Sequence, residues 1–115
     1  MKKQDAVAIL VALAQDNRLD VFRLLVEAGP AGMPAGHIGA SLRLPPNALT
    51  FHLDRLRAAG LVTSRRDGRS IIYVAQFAAM NSLVSYLTDH CCQGRPELCK
   101  PKAGKGVRRT AAACG

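Results

Sequence analysis

Near the C-terminal end of this 115-residue chain, Cys91 and Cys92 are adjacent and Cys99 follows seven positions later, in the stretch HCCQGRPELC. Thiols so spaced can close a disulfide, hold a soft metal or metalloid ion, or oxidise reversibly as a sensor. Gly94 and Pro96 suit a chain reversal that lets Cys99 approach the adjacent pair. Adjacent cysteines bridge one another poorly, so an oxidised form would join Cys91 or Cys92 to Cys99 or Cys114. No C-x-x-C dithiol and no phosphate-cradling glycine loop accompanies them, and the expectation is a protein that is not an enzyme.

A second set of residues suits nucleic acid. In NALTFHLDRLRAAG, Leu49, Leu53 and Leu56 keep helical register, and the remaining positions offer Asn47, Thr50, Phe51, His52 and Arg55. These side chains supply the donors, acceptors and apolar edge that can reach bases in a major groove. Downstream, Arg65, Arg66 and Arg69 flank Asp67-Gly68, so a hairpin there would present guanidinium groups to phosphates or to a narrow minor groove. The competing reading of the hairpin is a solvated charged turn. For His52 the alternative to base reading is packing or capping of its helix, and His37 reads as structural or solvent-exposed.

Charge agrees with a polyanionic partner. Sixteen Lys and Arg against eight Asp and Glu give a net charge of +8. Five of the cations lie in residues 100–115 with no acid among them, which leaves +3 on residues 1–99. The expected organisation is one folded domain over 1–99 and a flexible basic tail over 100–115, where apolar periodicity is lacking. The basic, then apolar start is interrupted by Gln4 and Asp5 and lacks a cleavage motif. With no apolar run near the ~20 residues of a membrane span, the expectation is a soluble, cytoplasmic protein with no membrane partner.

The elements that must position these residues follow from periodicity. Ala6, Ile9, Leu10 and Leu13 mark a first helix; Leu19, Phe22, Leu25 and Val26 mark a second, after an Asp16-Asn17 capping signal and before a Gly29-Pro30 stop. A short helix carries Ile38 and Leu42 on one face, and Leu44-Pro45-Pro46 breaks the chain before the Leu49 helix, which stops at Gly60. LVTSRR and RSIIYV about the DG turn read as a β-hairpin. A last helix, about Phe77 to Asp89, is expected to bury Met80, Leu83, Val84 and Leu87. The fold class is mainly α (α+β): a winged helix-turn-helix of about five helices with a two-stranded wing hairpin.

The stretch ALTFHLDRLRAAGLVTSRRDGRSIIYV resembles the recognition helix and wing of ArsR/SmtB metalloregulatory repressors, at His52-Leu53, Leu56, Ala59-Gly60-Leu61-Val62, Gly68-Arg69 and Tyr73. Thr50 stands where that family usually has Ser, and keeps the hydroxyl. The resemblance implies a homodimer, joined through its first and last helices, that represses transcription from double-stranded operator DNA. It also narrows the ligand. The C-V-C-D motif of the founding arsenic repressors is absent, the equivalent stretch being PAGHIGASL, and so are the paired acids and histidines of zinc-sensing members along the last helix. What remains is the Cys cluster, whose position after that helix resembles a subgroup of arsenic-responsive repressors. Three soft thiolates suit three-coordinate As(III), so Cys91, Cys92 and Cys99 are expected to bind arsenite, or antimonite, as inducer. A zinc or cadmium site with His90 or Cys114 as fourth ligand, and a thiol-redox switch, are the alternatives of the same fold; otherwise Cys114 is a bystander.

Overall fold

The computed structural model describes residues 1–89. It contains α1 (Lys3–Leu13), α2 (Asp16–Ala28), a 3-10 turn (Gly29–Ala31), β1 (Met33–Pro34), α3 (Ala35–Leu42), α4 (Pro46–Ala58), β2 (Val62–Asp67), β3 (Ser70–Ala75) and α5 (Phe77–Thr88). This is a winged helix-turn-helix: α3 and α4 form the helix-turn-helix pair and β2–β3 the wing.

The core forms where the apolar stripes of the helices converge. Val21, Leu25, Ile38, Leu53, Leu56 and Leu61 are fully enclosed, with Ala6, Ile9 and Phe22 around them. At roughly 1.5–3 kcal/mol for each large side chain taken out of water, this cluster dominates the stability of so small a domain. Pro46 begins α4, where its fixed φ suits a first helical turn and its missing N–H costs nothing.

The structure departs from the expectations in four places. The α2 cap is Gln15, whose Oε1 accepts from the Arg18 backbone N–H at 2.8 Å, and Asp16 lies inside the first turn rather than before it. The sheet has three strands, in the order β1-β3-β2, because Met33 and Pro34 pair antiparallel with Tyr73 and Ile72. Leu10 and Leu19 are exposed, and Ala12 and Val21 fill the positions beside the core instead. On α5, Leu83 is buried and Met80 partly so, but Val84 and Leu87 face outward. The last helix therefore has a core seam and a second apolar face that the described residues leave uncovered.

Gly32 makes the third strand possible. Its backbone (φ 71°, ψ −166°) lies in a region essentially reserved for glycine. A Cβ there would sit 2.5 Å from the Tyr73 carbonyl oxygen and 2.7 Å from Val74 Cγ2. The chain thus leaves the 3-10 turn flush against β3 and turns directly into α3.

Candidate DNA-reading interface

Recognition helix α4 is amphipathic in the way a groove-reading helix must be. Leu49, Leu53 and Leu56 anchor one side in the core, while Asn47, Thr50, Phe51, Asp54 and Arg55 are exposed. The Thr50 hydroxyl donates to the Pro46 carbonyl at 2.9 Å and keeps its acceptor lone pairs outward. Asn47 Oδ1 accepts from the Ala48 N–H at 3.1 Å, and its amide NH2 has no acceptor among the described residues. Phe51, 49% exposed, is a large ring displayed to solvent.

His52 is not on that surface. It is 7% exposed, on the core side of α4, with its ring edge-on to Phe51 at 5.7 Å between centroids. Its Nδ1 accepts from Arg18 Nε at 3.4 Å, so the neutral ring carries its proton on Nε2. Burial, and then the Arg18 charge, hold its pKa below the ordinary 6.5. Of the two readings of His52, this geometry supports packing and not base reading.

Arg18 is a residue beside α4 that the sequence reading missed. From the first turn of α2 it reaches both the Ala12 carbonyl (Nη1, 3.3 Å) and His52, and its guanidinium carbon lies 5.6 Å from the centre of the Phe51 ring. Arg55 lies over the same ring at 5.0 Å. One signal was available: a cation in the first turn of a helix opposes the helix dipole, a local conflict that marks a residue held there for another reason.

On the wing, β2 and β3 pair from Val62↔Ala75 to Asp67↔Ser70, and Gly68-Arg69 make the two-residue turn. Facing partners share a face, so Arg65 lies with buried Ile72 and Arg66 with exposed Ile71. Arg65 donates from Nη2 to the Ala31 carbonyl at 2.9 Å, which braces the wing against the turn after α2. Arg66 and Arg69 have no ion-pair or hydrogen-bond partner among the described residues. The ion pairs present there lie elsewhere: Arg23–Glu27 along α2 and Arg57–Asp54 along α4.

Comparison with known proteins accounts for this arrangement. The Helix-turn-helix domain family matches residues 13–65. The HTH-type transcriptional regulator YgaV of Escherichia coli K12 is 32% identical over 89 residues, covering 77% of this chain and 88% of that protein. The structure of an ArsR-like transcriptional regulator from Rhodococcus sp. RHA1 superposes with a TM-score of 0.65 at 30% identity, over 73% of this chain and 76% of that one. The chain belongs to the ArsR-like family of transcriptional regulators. HlyU from Vibrio cholerae N16961 is a further relative, at 30% identity and TM-score 0.61, over 76% of this chain and 97% of that chain. In this ArsR-like regulator, then, α4 and the wing are the elements of a DNA-binding fold.

The expected ligand site does not fall within the described part of the regulator. Cys91, Cys92, Cys99 and Cys114 lie outside the described residues, as do His90 and the expected boundary at Cys99. Among the described residues, no group of three or more His, Cys, Asp or Glu side chains could hold a metal ion. No described helix is long and apolar enough to cross a membrane.

Proposed function

We propose that the protein is a homodimeric transcriptional repressor that leaves its operator when arsenite or antimonite binds Cys91, Cys92 and Cys99. The observation that carries the DNA-binding part is that the helix-turn-helix and its wing both display exposed arginines without ion pairs among the described residues: Arg55 beside Phe51 on α4, and Arg66 and Arg69 at the wing. Such cations add affinity by releasing counterions from DNA, and the groove-facing side chains add sequence preference.

Dimerisation is supported by the exposed apolar faces of the first and last helices. Val7 and Leu10 on α1, with Val84, Tyr86 and Leu87 on α5, leave more apolar surface uncovered than isolated exposed side chains account for. The two helices contact one another, so the faces can act as one patch. A second copy would pair the patch with itself about a two-fold axis and set the spacing of two recognition helices one DNA turn apart.

The cysteines follow α5 by three residues in sequence, so a ligand there would act on the end of the helix that carries this patch. Three thiols suit As(III), which loses its hydroxyls as water while each thiol loses a proton. Cytoplasmic reduction would keep the thiols available. The test is to enrich a duplex from a random pool with reduced full-length protein, then titrate the complex with arsenite, antimonite, zinc, cadmium and peroxide, and assay transcription from the same duplex. Release by arsenite with derepression is expected. Release by peroxide alone, or by zinc at lower concentration, would replace arsenite as the signal; activation by the bound protein would replace repression, since V. cholerae HlyU is named an activator.

A further inference from the structure

Recognition helix α4 has a cleft along each flank, and the two clefts differ in charge. On the wing side, the cleft against β2 is lined by Asp54 and Arg57, which neutralise one another at 3.8 Å. On the other side, a groove of about 490 Å³ against α1 is lined by Arg18, Phe51 and Arg55 together with Val11, Ala12 and Ala58. Both guanidinium groups in that groove lie within 6 Å of one aromatic ring. Among the described residues neither forms an ion pair, and no carboxylate lines the groove.

From this asymmetry we infer that Arg18 and Arg55 form a second backbone clamp, which holds a DNA phosphate on the flank of α4 opposite the wing. A helix with its side chains is ~10–12 Å across, and the major groove is ~12 Å wide. A seated recognition helix therefore brings both flanks towards the two phosphate rows at once. The wing arginines address one row. Arg18 and Arg55 address the other, and their two positive charges over one ring meet an anion that no described residue provides. Two hydrogen bonds already orient the Arg18 guanidinium for this contact. Nε is held by His52 and Nη1 by Ala12, and Nη2 has no acceptor among the described residues. Phe51, in contact with both cations and 49% exposed, is an apolar group on the same helix that can meet a thymine methyl.

This inference rests on the DNA-binding reading above, and the test separates the two. Full-length wild type, Arg18→Gln, Arg18→Lys, Arg55→Gln and Arg69→Gln are measured on the duplex enriched by wild type and on a scrambled duplex, across a salt series. Arg18→Gln is expected to weaken both complexes by the same factor and to reduce the slope of log K against log salt by about 0.9. Arg18→Lys, which keeps the charge without the fork, should restore the slope.

Neutral methylphosphonate linkages placed singly along each strand then locate the contact. One position should weaken wild type yet leave Arg18→Gln unaffected, and it should lie across the major groove from the position to which Arg69→Gln is blind. Thermal unfolding of each variant monitors folding; should Arg18→Gln not fold, Arg55→Gln is the deciding variant, with the same slope loss expected. An unchanged slope in the deciding variant, or a blind position on the wing's own row, overturns the clamp. Failure of wild type to bind any duplex overturns the DNA-binding reading instead.

Discussion

Arg18 Nε donates to His52 Nδ1 across 3.4 Å, joining the first turn of α2 to the buried side of the recognition helix. The bond needs a lone pair on Nδ1, so it exists only while His52 is neutral. Protonation would remove the acceptor and set an imidazolium against a guanidinium.

Stability should therefore fall on acidification. Above the unfolded pKa of 6.5 the ring is neutral in both states and the fold keeps its full stability. Below it the unfolded chain takes up the proton first, because the folded pKa is lowered, and unfolding is favoured until folded His52 protonates too. Urea midpoints from about pH 7 to about pH 5 should decline in wild type and decline less in His52→Gln. Equal declines would assign the acid sensitivity to another group.

Gly32→Ala is expected to be among the more damaging single changes. It places a side chain in a glycine-only backbone region and drives its Cβ into the Tyr73 carbonyl and Val74. Together these should cost about 2–4 kcal/mol and lower Tm by roughly 10 °C or more. Scanning calorimetry checks this; a loss below about 1 kcal/mol would mean the turn relaxes without strain.

At the wing, Arg66→Ala and Arg69→Ala should each reduce the salt slope by about 0.9, with sequence preference little changed. Arg65→Ala should do something further, since Arg65 is tied to the Ala31 carbonyl. Faster amide exchange in β2 and β3 is expected in that variant and not in the other two. Identical exchange in all three would show the tether contributes nothing to wing order.

Val7→Glu and Leu87→Glu each place a charge on an apolar face, at sites 51% and 56% exposed in the single chain. Their folding should be nearly unaffected, while self-association measured by sedimentation weakens at least tenfold, about 1.4 kcal/mol. Wild-type association in both variants would move the dimer contact off α1 and α5.

Cys91→Ser, Cys92→Ser and Cys99→Ser should each bind DNA as wild type does and require far more arsenite for release. Allosteric coupling of ~1–3 kcal/mol corresponds to a 5- to 150-fold change in affinity, and loss of one thiolate removes part of the binding energy that drives it. Release of all three variants at the wild-type arsenite concentration would remove these cysteines from the inducer site.

What the sequence disclosed depended on how local each signal was. The wing was legible because LVTSRR and RSIIYV are β-rich runs on either side of a tight turn that needs Gly68, and α4 because Leu49, Leu53 and Leu56 repeat at helical spacing between Pro46 and Gly60. Strand β1 was not: two residues, one of them proline, carry no periodicity, and pairing with Tyr73 and Ile72 is decided by tertiary structure. His52 falls beside the leucine stripe, where a polar residue can face either way, and only its contact with Arg18, 34 positions earlier, decides the matter. Val84 and Leu87 misled for a different reason. Apolar periodicity reports that a face avoids water, whether its own core or another molecule covers it.

The tether between Arg65 and Ala31 gives the wing a parity. Successive strand residues point to opposite sides, so one residue inserted before Arg65 in β2 would turn that arginine outward and bring its neighbour to the carbonyl in its place. Two inserted residues would restore the facing and merely lengthen the blade. Wing length in proteins built this way should therefore change in even steps on the body side of the tether, whereas beyond it, at the Gly68-Arg69 tip, odd and even changes are equally open.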